Sequence, residues 1–164
     1  MNALKFLMIP FILATLALPV MAQGTSVAFG TIRQDTKLPV EVTADNLEVD
    51  QETGTAIFTG NVIIGQGEMR LSAARVLVVY RAENKGIARL EATGGVTLVS
   101  GEDAAESERA DYSIDDGTIV MTGNVLLAQG ASALSSDKMT VRLSDGSAQM
   151  SGSVRTILQT GSDN

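Results

Sequence analysis

The chain has 164 residues, 12 Lys and Arg against 19 Asp and Glu, a net charge of −7 at pH 7, and neither His nor Cys. The missing imidazoles and thiols exclude Ser-His-Asp and Cys-His catalysis, His- or Cys-ligated zinc and disulfide frameworks. The acidic balance, the absence of Trp and the few aromatic residues argue against nucleic-acid binding, which rests on basic contacts to phosphate and on stacked rings.

Residues 1–22 read as a secretory signal peptide. Lys5 supplies the positive start, residues 6–20 are uncharged and mostly apolar, and Val20-Met21-Ala22 offers a cleavage site before Gln23. The apolar run falls short of the roughly 20 residues that span a bilayer. Residues 23–36 have little periodicity and read as a loose N-terminal segment. Residues 37–160 form one domain by length, and 161–164 a tail.

From Val40 the apolar residues recur with a period of two. Val40-Glu41-Val42-Thr43 alternates, as do Leu47-Glu48-Val49-Asp50, Tyr112-Ser113-Ile114-Asp115 and Met139-Thr140-Val141-Arg142-Leu143. Such alternation marks half-buried β-strands. Turn signals separate the runs: Glu52-Thr53-Gly54, Asn84-Lys85-Gly86, Asp115-Asp116-Gly117 and Ser144-Asp145-Gly146. Beyond the signal peptide no segment sustains a helical period, and the pattern predicts about 12–16 short strands.

A tetrapeptide also recurs. Thr59-Gly60-Asn61-Val62 returns as Thr93-Gly94-Gly95-Val96, as Thr122-Gly123-Asn124-Val125 and, degenerate, as Ser151-Gly152-Ser153-Val154, at spacings of 34, 29 and 29 residues. Upstream of these, Ala44-Asp45, Ala74-Arg75, Ala110-Asp111 and Ser136-Asp137 open each unit. A repeat of about 30 residues implies supersecondary units that share a core. The motif glycine is placed to bend a strand or form a bulge.

Chemistry-bearing motifs are few. Asp115-Asp116 and Glu102-Asp103 are adjacent carboxylates, but neighbours on a strand face opposite ways and both pairs adjoin turn glycines. The acidic stretch 101–111 lacks the Asp-x-Asp-x-Asp-Gly spacing of a calcium loop. No glycine-rich phosphate loop precedes a helix. The reading is a non-enzyme without catalytic, metal or cofactor residues. Its aliphatic inner phases, among them Val40, Val42, Leu98, Tyr112 and Ile114, suit either a dry core or flexible acyl chains.

Pro39-Val40-Glu41-Val42-Thr43-Ala44-Asp45, Phe58-Thr59-Gly60-Asn61-Val62, Gln66-Gly67 and Leu71-Ser72-Ala73 carry a resemblance. The chain is similar to the LptA-type, OstA-like domain family of periplasmic lipopolysaccharide-transport proteins over residues 38–158. The resemblance implies an all-β, antiparallel β-jellyroll or V-shaped β-taco located in the periplasm. It implies a groove that shields lipid A acyl chains, with lipid contacts near Val40, Val42, Leu98, Tyr112 and Ile114. It also implies head-to-tail self-association by strand addition. The partners it implies are an inner-membrane-anchored protein and an outer-membrane translocon with homologous domains. The alternative is a secreted structural repeat-β protein, a solenoid or filament without lipid cargo. The unequal repeat spacings argue against a strict solenoid.

Overall fold

The computed structural model describes residues 25–29, 37–83 and 86–157. The expected signal peptide and C-terminal tail lie outside them. The described residues form one antiparallel sheet of 11 strands. These are β1 (Thr25–Ala28), β2 (Glu41–Thr43), β3 (Asn46–Asp50), β4 (Thr55–Gln66), β5 (Met69–Tyr80), β6 (Ile87–Ser100), β7 (Asp103–Ser113), β8 (Thr118–Gln129), β9 (Ser132–Arg142), β10 (Ser147–Ser151) and β11 (Arg155–Ile157). The strand order is β1-β10-β9-β8-β7-β6-β5-β4-β2, with β3 also on β4 and β11 also on β9. The sheet has two ends and does not close on itself.

The expected strands number 12–16; there are fewer because β4 to β9 run through their bends, 11 to 14 residues each. A bulge turns a strand without ending its ladder. Between Thr59 and Val62, β4 advances three residues while β5 advances two, from Arg75 to Ala73. The same shift recurs at Thr93/Val96 and Thr122/Val125. The repeated tetrapeptide is therefore a row of corners that folds the sheet into two walls. In wall A lie β3, residues 55–59 of β4 and, at the far end, β10 and β1. In wall B lie β2, residues 62–66 of β4 and, at the far end, β11.

The corner chemistry explains the motif. Gly60 has φ +80° and Asn61 φ +46°, and the pair recurs at Gly123 and Asn124. Asn is among the few non-glycine residues that tolerate this region. A Cβ on Gly60 would lie 2.5 Å from Asp45 Oδ2. Asn61 Nδ2 donates to that carboxylate at 2.9 Å, Asn124 Nδ2 to Glu108 at 2.6 Å and Ser153 Oγ to Asp137 at 3.0 Å, each across 16 residues. In the third unit the corner residue is thus Glu108, two positions before the Ala110-Asp111 pair that the repeat suggests. In β5 the buried phase switches from Leu71 and Ala73 to Val76 and Val78. That switch keeps one face inward around the bend.

Within the segment 23–36, expected to be loose, Thr25–Ala28 forms β1 and pairs with β10, four residues in register. Four residues of mixed polarity carry no readable period. Their pairing is fixed by an edge that lies about 120 residues later in the sequence.

Candidate functional site

The inner faces of both walls carry continuous rows of directly opposed apolar residues. In wall B the row runs Val42, Ile64, Leu71, Leu98, Ala105, Leu127 and Leu134, from β2 to β9, and reaches Thr156 on β11. In wall A it runs Val49, Ala56, Val78, Leu90, Tyr112, Ile119, Val141, Ala148 and Val27, from β3 to β1. Eight strand spacings of roughly 4.8 Å make such a row on the order of 38 Å long. Alternation with polar residues produces these rows, because register holds every second side chain on one face.

The five lipid-contact residues expected from the sequence share this interior. Leu98 and Tyr112 are buried in the core, at 0% and 2% exposure, on opposite walls. Val42 belongs to the wall B row, while Val40 and Ile114 are half-buried and pack against the same core. In the middle strands the rows are packed: Leu71, Leu90, Leu98, Ile119 and Val141 are all buried.

The interior's polar tie crosses between the walls. Tyr112 Oη donates to Gln66 Oε1 at 2.5 Å, and Gln66 Nε2 donates to the Leu38 carbonyl at 2.9 Å. Burial pushes the Tyr112 hydroxyl up to about 12, with the Gln66 hydrogen bond opposing it. Gln129 stands at the matching place in the third unit, and its Nε2 donates to the Ala28 carbonyl at 2.6 Å. Both glutamines hold the N-terminal part of the chain against wall B. The sequence signal for them was the shared Thr-Gly-Asn-Val-x-x-x-Gln pattern, readable once the repeat is aligned.

The two ends of the interior differ. On β3, Leu47 and Val49 have inward register, opposite Phe58 and Ala56, yet are 57% and 59% exposed. A cleft of about 560 Å³ lies beside Val49, lined also by Thr53, Tyr80 and Arg81. At the other end Ala148 and Met150 are fully buried behind β1, and Phe29 is 0% exposed. Phe29 had no sequence signal beyond its type.

The carboxylates serve turns and the outer face. Asp115 pairs with Arg81, Asp116 accepts from Ser113 Oγ at 2.6 Å and Asp103 accepts from Gln129 at 2.6 Å. On the outer face of wall A, Arg109 bridges Asp111 and Glu91, and Arg89 Nε donates to Glu91 at 2.8 Å. The Arg89 hydrogen bond, helped by Arg109 against partial burial, holds the Glu91 carboxyl below its ordinary range. Among the described residues no group of three or more acidic side chains is placed to hold a metal ion.

Residues 41–153 match the family described as LptA/(LptD N-terminal domain) LPS transport protein. The chain is 32% identical over 108 residues to an uncharacterized protein of Rhizobium meliloti (strain 1021), covering 62% of this chain and 58% of that protein. It is 34% identical over 71 residues to the lipopolysaccharide export system protein LptA of Haemophilus influenzae (strain ATCC 51907 / DSM 11121 / KW20 / Rd), covering 43% of this chain and 41% of that protein. The match thus spans less than two thirds of either relative. The fold resembles the crystal structure of LptH, the LptA-homologous periplasmic component of the lipopolysaccharide transport device of Pseudomonas aeruginosa. That likeness has a TM-score of 0.67 at 15% identity and covers 77% of this chain and 99% of that one.

Proposed function

Because the chain belongs to the LptA/LptD N-terminal domain family of lipopolysaccharide-transport proteins, we propose that it is a periplasmic carrier that shields lipid A acyl chains between its two apolar rows. The observation that carries this reading is the pair of apolar rows, which run from β3 to β1 in wall A and from β2 to β9 in wall B. A bridge between membranes needs apolar surface that continues along its axis and needs few directional contacts. Each buried CH₂ of an acyl chain contributes about 0.8 kcal/mol. A net charge of −7 offers no general attraction for lipid phosphates, so affinity comes from the acyl part. The packed middle strands mean that entry of acyl chains must part the walls, which keeps the net affinity moderate and release feasible.

By the same reading, copies join head to tail, and homologous domains of an inner-membrane-anchored protein and an outer-membrane translocon meet the two ends. Exposed sheet edges support strand addition of this kind. The packed interior favours the second reading, a structural repeat-β protein without cargo.

Photo-crosslinking separates the two. A photoreactive residue at Ile114 should capture lipopolysaccharide, whereas one at Ser113, on the other face, should not. Ile114→Asp should keep its circular dichroism and lose lipid capture, since an unpaired carboxylate among acyl chains is poorly solvated. Equal capture at both positions, or none at either with the fold intact, leaves the structural reading in place.

A further inference from the structure

The edges at the two ends of the sheet are complementary. β3 and β10 have five residues each, and β2 and β11 three each. β3 and β10 border wall A, while β2 and β11 border wall B. Successive antiparallel pairings from β4 make β10 run with β4 and β3 against it. A second copy translated along the sheet axis therefore brings its β3 antiparallel to β10 and its β2 antiparallel to β11. The apolar row of wall A then continues into the next copy, and that of wall B continues across Thr156.

The β10 edge, however, is taken. β1 pairs with it from Thr25↔Met150 to Ala28↔Ser147, Phe29 N–H donates to the Gly146 carbonyl at 3.0 Å, and Gln129 pins the Ala28 carbonyl. Among the described residues no strand covers the outer edge of β11, and its Ile157 is 54% exposed.

We propose that β1 with Phe29 is an exchangeable cap, which occupies on β10 the docking place of another copy's β3. This deepens the head-to-tail reading above and rests on it. The exchange is favourable for a physical reason. β1 brings only Val27 and Phe29 as apolar side chains to the interior, and its strand pairing is with wall A alone, wall B holding it through the single Gln129 hydrogen bond. An incoming copy brings Leu47 and Val49, which are otherwise wet, and adds β2 on β11. In the lone molecule the cap keeps Ala148 and Met150 dry and the edge protected from unspecific pairing. Association is thereby conditional on release of the cap.

A disulfide lock tests this. Ser26 and Gln149 are directly opposed and both exposed on the outer face, and the chain has no cysteine of its own. Opposed residues on antiparallel strands lie about 4.5–5.5 Å apart at Cα, within disulfide reach. Ser26→Cys/Gln149→Cys should associate like the unmodified protein when reduced. Oxidised, it should bind itself at least about tenfold more weakly in sedimentation equilibrium, because apparent affinity scales with the fraction of free edges. Gln129→Ala, which loosens the cap without touching β10, should tighten association. If the oxidised and reduced forms associate alike, the cap is not in the way and the proposal falls while head-to-tail docking stands. If neither they nor the unmodified protein associates, docking itself fails and the cap proposal with it. Disulfides formed between chains place β1 on a neighbour's edge and overturn the intrachain cap.

Discussion

Leu47 and Met150 stand in one row of wall A, seven strands apart in order, on one continuous inner face. Leu47 is 57% exposed and Met150 is 0% exposed. Residue type does not account for the contrast, since both are long aliphatic side chains with inward register. The difference lies in what covers the edge: β1 and Phe29 at one end, solvent at the other. Apolar phase tells which way a residue faces, and the neighbouring edge decides whether facing inward means being dry.

The largest effect that tests this contrast comes from truncating each end. Phe29→Ala removes a fully buried ring and should lower stability by about 3–5 kcal/mol. Leu47→Ala should change it by less than about 0.5 kcal/mol, because that side chain buries little in the lone molecule. Urea denaturation of the two variants measures both. Equal losses would mean that the end at β3 is covered as well.

An intermediate effect lies midway along the adjacent row of wall A, at Tyr112. Tyr112→Phe removes the donor to Gln66 and should lower stability by about 1–2 kcal/mol. The phenol's value of about 12 lies above its ordinary 10.0. The neutral group's contribution is therefore fully present below the unfolded value and is lost as the pH rises towards the folded one. Urea melts on either side of pH 10 should show a decline in the unmodified protein that is weaker in Tyr112→Phe. An unchanged decline would assign it to other groups.

The smallest effect compares the two end turns. Asp50, before the β3–β4 turn, is held below its ordinary range by the Thr53 backbone N–H, the Thr53 hydroxyl and the Glu52 N–H. Asp145, in the β9–β10 turn, is lowered by the Ser147 hydroxyl and backbone N–H. Both carboxylates are exposed, so each contributes slightly, above the unfolded value near 4, and loses that contribution as the pH falls through the folded value. Asp50→Asn and Asp145→Asn should each flatten the acid limb of thermal stability by a similar small amount. A marked difference between them would extend the contrast of the ends to their turns.

Much of this architecture was legible. The recurring Thr-Gly-Asn-Val fixed the corners, because positive φ at Gly60 and Asn61 is a local demand that selects residue types. Alternation placed Val42, Leu98 and Tyr112 on the inner face, because a two-residue period has only two sides. What escaped was tertiary. The phase switches at Ala74 and Asp137 arise from bulges borne by the partner strand. The cover of β10 comes from four N-terminal residues whose own sequence names no partner. The tie between Gln66 and Tyr112 spans 46 residues and two walls.

The corners set a rule for length. Three of the four are stapled across 16 residues, and at the second Ala74 faces Gly94 in the carboxylate's place, so a unit brings its own bend and asks nothing of the next. Inserting one further unit of 29 residues adds an outgoing and a returning strand together. The sheet then grows in steps of two strands, roughly 9–10 Å. Strand direction at both rims stays as it was, so the two ends keep their complementary polarity whatever the number of units. A single added strand would reverse one rim and end that complementarity.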